Sequence, residues 1–164
     1  MDKELIKEMR LAIKKNQIDD VKNLIQNNEG LIDTETIWGS FLHDAATFGT
    51  YEIAKYFIEC GVDIHKKDKT FERSALTNAA FKGYLDIVQL LYDNGAILDV
   101  SNFSDNPLFA AIYNGHFDIV KFLIEKGIDL HVHYPLGKLD NVNAHEYARQ
   151  YGKTEIANYI KGRM

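Results

Sequence analysis

Asn106-Pro107-Leu108-Phe109-Ala110-Ala111-Ile112-Tyr113-Asn114-Gly115, continued by His116-Phe117-Asp118-Ile119-Val120-Lys121-Phe122-Leu123-Ile124-Glu125-Lys126-Gly127, decides the fold. Asn106 is a good helix N-cap, since its side-chain oxygen accepts from a backbone N–H that the helix leaves unpaired. Pro107 falls at the first helical position, where its missing N–H costs nothing. Gly115 ends this helix in the left-handed conformation that glycine adopts at little cost. Asp118 then stands in the first turn of a second helix, at the positive end of its dipole. Ile119-Val120 and Leu123-Ile124 give that helix a wide apolar stripe, and Gly127 stops it. The stretch reads as two short helices and a loop.

The pattern recurs in both directions. Gly49, Gly83, Gly115 and Gly152 are 34, 32 and 37 residues apart, and Asn16 occupies the same slot 33 residues before Gly49. Nine residues before the glycines stand Ser40, Ser74, Asn106 and Asn143, all N-cap residues. Three residues after the five markers stand Asp19, Glu52, Asp86, Asp118 and Glu155. Ala45-Ala46, Ala79-Ala80, Ala110-Ala111 and Ala148 are small enough to let neighbouring helices approach closely. Gly61, Gly95 and Gly127 close the second helices, and extended runs follow at Val62-Asp63-Ile64, Ala96-Ile97-Leu98 and Ile128-Asp129-Leu130. Self-similarity at a period near 33 residues points to a stacked repeat architecture.

These units resemble ankyrin repeats. Ser40-Phe41-Leu42-His43-Asp44-Ala45-Ala46 is close to that family's Thr-Pro-Leu-His-x-Ala-Ala, and Ser74-Ala75-Leu76-Thr77-Asn78-Ala79-Ala80 follows the same order. The resemblance implies an all-α solenoid of helix-turn-helix units with short β-hairpin-like loops. It implies one domain over 1–164, with repeats near 5–39, 40–73, 74–105, 106–139 and 140–164. Departures concentrate at the ends. Lys7, Asn16 and Asn28 take the cap and the two glycine slots of the first unit, and His145 and Arg149 take usual Leu and Ala slots of the last. Terminal repeats need a polar outer face, so these read as capping. The five units leave no segment for a separate catalytic domain.

Composition narrows the function classes. The chain has 164 residues, net charge −5, 46% hydrophobic and 26% charged residues, which places it among ordinary globular domains. The charge is even, with 12 basic against 14 acidic residues over 1–82 and 7 against 10 over 83–164. Neither half offers the basic footprint of a nucleic-acid binder. No apolar run approaches the roughly 20 residues of a membrane span, and charges at Asp2, Lys3 and Glu4 do not fit a signal peptide. The lone Cys60 allows no internal disulfide. A cytoplasmic monomer without cofactor is the expectation. No G-x-S-x-G, P-loop or H-E-x-x-H motif occurs, so a non-enzyme is expected.

The histidines divide into structural and candidate metal positions. The resemblance implies that His43 ties adjacent loops by hydrogen bonds, with His116 structural too. His131-x-His133 would put two rings on one side of an extended segment, and with Asp129 a transition-metal site is the alternative reading. His65 and His131 share one slot, four residues after their glycines, which favours a repeat-geometry role.

Partners of proteins of this kind meet the concave face of loop tips and first helices. The corresponding slots here hold Ile37, Phe71 and Phe103 at the tips, with Trp38, the only tryptophan, beside the first. The first-helix slots hold Phe48, Phe81, Tyr113, Tyr147, Tyr151 and the polar Asn78, with Asp44, Arg73 and Asp105 as a rim. Aromatic centres with charged edges are what protein interfaces favour. A protein–protein interaction module is therefore expected, and an inhibitor or immunity-type protein that blocks a toxin or enzyme is a more specific alternative. The longer 131–140 loop, punctuated by Pro135 and Gly137, is a candidate specificity element.

Overall fold

In the computed structural model, which describes residues 2–137 and 139–164, ten α-helices form five consecutive pairs. They are α1 (Lys3–Lys14) with α2 (Ile18–Asn27), α3 (Phe41–Phe48) with α4 (Tyr51–Glu59), and α5 (Ala75–Lys82) with α6 (Leu85–Asp93). The series ends with α7 (Pro107–Asn114) and α8 (Phe117–Glu125), then α9 (Ala144–Gln150) and α10 (Thr154–Lys161). The first helices α1, α3, α5, α7 and α9 pack in that order into one row, and α2, α4, α6 and α8 into a second.

Capping explains where each helix starts. Asn106 accepts from the amides of Leu108 and Phe109, Ser74 from Thr77, and Asn143 from Glu146. Each satisfies an end group that the helix cannot pair itself. At Ser40 the cap is reciprocal, with the Ser40 amide donating to His43 Nδ1 at 3.2 Å. Asn16 does have the left-handed backbone of the marker glycines, with φ 56°. Asn28 does not follow its expected slot: its φ is −136° and Gly30, at φ 73°, makes the left-handed turn instead.

Side-chain size sets the spacing of the rows. Ala45, Ala46, Ala79, Ala80 and Ala111 are buried between first helices, while Ile53, Phe57, Ile87, Leu91, Ile119 and Leu123 fill the space between the two rows. The connections project beyond the helices. Two carry true strand pairs: β1 (Glu35–Thr36) with β2 (Gly39–Ser40), and β3 (Tyr134–Leu136) with β4 (Leu139–Val142), both antiparallel. Between them the hairpin-like character shrinks to one bridge, Lys67 with Ser74. The run 96–100 forms no strand.

Polar side chains lock successive loops together. His43 Nδ1 accepts from Ser40, so its Nε2 carries the proton and donates to the Arg73 carbonyl at 3.2 Å, the loop-tying role expected of it. Asp105 accepts from the Ser74 amide and hydroxyl at 2.7 and 2.8 Å. Its second oxygen accepts no directed hydrogen bond but faces the Lys67 ammonium at 3.0 Å, and Lys67 also bonds Asp99 at 2.7 Å. His116 Nε2 donates to the Phe81 carbonyl at 3.1 Å.

Candidate functional site

Equivalent positions on two successive first helices, extended by a residue just past the last one, bring their rings into a ladder. Phe81 on α5 stacks on Tyr113 of α7 at 6.0 Å between centroids, only 15° from parallel. Tyr113 meets Tyr151, just past α9, at 5.0 Å, and Tyr151 meets Tyr147 at 4.6 Å. Beneath lies an edge-to-face cluster in which Phe103 touches Phe109, Tyr134 and Tyr147 at 5.5, 5.8 and 5.6 Å. Such contacts exploit the ring quadrupole and add about 0.5–1.5 kcal/mol per pair beyond burial.

All of these rings except that of Tyr134 line an open groove of about 620 Å³. Ser104, Ala110 and Gln150 lie along it, and the β3–β4 hairpin contributes Leu136 and Gly137. Arg73 stands at its margin. The guanidinium sits 5.1 Å from the Phe81 ring and 5.2 Å from the Phe71 ring, and Nε donates to the Ser104 carbonyl at 3.0 Å. Lys138, within the candidate 131–140 loop, lies outside the described residues.

A second exposed apolar group lies at the tips. Ile37, Trp38 and Phe71 are 60%, 45% and 52% exposed. The two tips are joined: the Lys69 amide and the Thr70 hydroxyl both donate to the Ile37 carbonyl, at 3.1 and 2.9 Å. Lys66 and Lys69 pair with Glu35 beside them, which draws the Glu35 carboxyl below its ordinary range, chiefly through the hydrogen bond from Lys66.

Several expected contact residues are instead structural. Phe103 does not protrude like Ile37 and Phe71; it turns into the aromatic cluster because Tyr134 and Tyr147 offer it apolar edges. Asp105 is 1% exposed and serves Ser74 and Lys67, so it is no rim residue. Asp44 is also buried and accepts from Arg10 Nε and Nη2 at 3.1 and 2.8 Å. Burial raises its carboxyl above the ordinary value and Arg10 opposes the rise. Tyr147 is 3% exposed, and its phenol is pushed up first by burial and then by Tyr151. Phe48 and Asn78 are half-buried, Phe48 with Lys14 5.9 Å from its ring. Tyr113 and Tyr151 remain exposed.

Sequence reasoning passed over Tyr134, whose hydroxyl accepts from Asn106 Nδ2 at 3.0 Å and donates to the Val100 carbonyl at 2.6 Å. Its position in the longest connection was the available signal. Asp129 accepts from the His131 amide at 2.8 Å, as Asp63 does from His65 and Asp99 from Ser101. This turn, repeated in three connections, is the shared geometry of the His65 and His131 slots. Among the described residues no group of three or more His, Cys, Asp or Glu is placed to hold a metal ion, and no helix is long and apolar enough to cross a membrane.

A family model described as ankyrin repeats in three copies matches residues 42–134, the span from α3 to the start of β3. Among curated proteins none matches the chain significantly.

Proposed function

Since the chain belongs to the ankyrin-repeat family, whose repeats generally serve as protein–protein interaction modules, we propose that it binds a partner protein through the concave side formed by its tips and first helices. The observation that carries this reading is the exposed apolar surface itself. Ile37, Trp38 and Phe71 at the tips and Tyr113 and Tyr151 on the ladder are exposed on the first-helix side, with the half-buried Phe81 stacked on Tyr113; Ile37 and Phe71 hold equivalent slots of successive repeats, as do Phe81 and Tyr113. Contiguous exposed apolar surface with a polar margin marks interaction sites. Rings held by stacking lose little freedom on binding, so more of the contact energy appears as affinity. The module comprises repeats near 5–39, 40–73, 74–105, 106–139 and 140–164 and works as a cytoplasmic monomer; an exposed, unpaired Cys60 suits a reducing compartment.

A paired capture from native lysate tests this. The baits are wild type, a tip variant with Ile37→Ala and Phe71→Ala, and a ladder variant with Phe81→Ala and Tyr113→Ala, each confirmed to be folded. A protein retained by wild type and lost from either variant supports the proposal. Equal retention by all three refutes it.

A further inference from the structure

The groove has a charge character opposite to that of the chain. The protein carries net charge −5, yet the groove lining contains no carboxylate among the described residues and one cation, Arg73. Arg73 is held in place on three sides. Phe71 and Phe81 approach the guanidinium and Ser104 takes its Nε–H. No ion pair or further hydrogen bond engages its Nη1 or Nη2 among the described residues. By contrast Arg10 bonds Asp44, and Lys66 and Lys67 have carboxylate partners. A planar guanidinium with its terminal nitrogens free is matched to a carboxylate, which can take two parallel N–H bonds. The aromatic walls beyond it suit flat or branched apolar side chains, and Gln150 and Ser104 offer polar partners to a peptide backbone.

We propose that this groove recognises an extended segment of the partner protein in which a glutamate or aspartate is flanked by apolar side chains, the carboxylate seated on Arg73 and the apolar groups against Phe81, Tyr113 and Tyr151. This rests on the binding function proposed above and names the chemistry of its occupant. Arg73 is the specificity determinant, because a neutral segment of the same shape offers its terminal nitrogens a single uncharged acceptor in place of two charged ones.

The test uses arrayed ten-residue peptides whose central residue is Glu, Gln or Lys between randomised apolar residues, probed with the labelled full chain. The best Glu peptide and its Gln counterpart are then titrated by fluorescence polarisation against wild type, Arg73→Gln, Arg73→Lys, Tyr113→Ala and a second-row control carrying Gln89→Ala, exposed on α6. The Glu peptide binds wild type about tenfold or more tightly than its Gln counterpart, the scale of one charge-assisted contact. Arg73→Gln abolishes that preference, Arg73→Lys keeps part of it, Tyr113→Ala weakens both peptides, and the second-row control leaves both unchanged. Equal binding of the Glu and Gln peptides, a preference that survives Arg73→Gln, or retention of phosphotyrosine peptides in place of the Glu pool overturns the assignment. So does an array from which nothing is retained. In each of these cases the lysate capture still tests the broader binding function independently.

Discussion

Phe71 and Phe103 hold equivalent tip slots, yet truncating them should have opposite consequences. Phe103 is half-buried and makes three ring contacts at 5.5–5.8 Å. A fully buried Phe→Ala change costs about 3–5 kcal/mol. Partial exposure moves Phe103 to the lower end, about 3 kcal/mol. Phe71 is 52% exposed, with the Arg73 guanidinium 5.2 Å from its ring, an exposed contact worth about 0.5–1 kcal/mol. The difference of about 2 kcal/mol is read by urea unfolding of Phe71→Ala and Phe103→Ala, followed both by circular dichroism and by Trp38 fluorescence. Trp38 is the only tryptophan and lies beside β2, so it reports the N-terminal repeats. Solenoid stability is a sum of repeat and nearest-neighbour terms. In Phe103→Ala the circular-dichroism transition should therefore shift to lower urea while Trp38 shifts less. Phe71→Ala should move the transitions only slightly and weaken partner binding. If Phe103→Ala is as stable as Phe71→Ala, the aromatic cluster does not support the C-terminal repeats and the packing account fails.

Three further outcomes follow from the same contacts. Asp105→Ala removes the acceptor for two Ser74 donors and one partner of Lys67; with Asp99 still holding the half-exposed Lys67, the loss in urea unfolding is about 2–3 kcal/mol, and Asp105→Asn recovers part of it. Gly83→Ala places a Cβ 2.5 Å from His116 on a backbone at φ +91°, whereas Gly61→Ala, at φ +81°, meets nothing within 4 Å; the former should cost distinctly more than the roughly 1 kcal/mol of backbone strain expected of the latter. The Lys67 hydrogen bond, with help from Ser101, lowers the Asp99 carboxyl from 3.8 to about 2. A lowered carboxyl contributes stability that is present above about pH 4 and lost as pH falls toward 2, so Lys67→Met should flatten the acid loss over that window, and equal slopes for the two proteins would contradict the pairing.

The repeat architecture was legible because each of its devices is local. Caps at Ser74, Asn106 and Asn143, the proline at 107 and the left-handed Asn16 are each set within one turn of backbone. The aromatic slots were legible for the same reason: a fixed distance from a marker glycine places Phe81 and Tyr113 on one face. What slot counting could not distinguish was a ring facing water from a ring facing another loop. Phe103 is turned inward by Tyr134, 31 residues away in sequence and in a connection that departs from the repeat length. Asp44 and Asp105 looked like rim charges because their partners, Arg10 and Lys67, sit in neighbouring units. Register within a unit is a local property, whereas burial depends on what the next unit brings.

Partner contact through the first-helix side can be tested by placing a photo-crosslinking benzoylphenylalanine at one position per protein. Tyr113 and Phe71 sample the first-helix side, and the exposed Gln89 on α6 samples the second row. Irradiation in native lysate should yield a discrete adduct with one partner protein from positions 113 and 71 and none from 89. An adduct from 89 alone would place binding on the second helices and contradict the proposed concave-face contact.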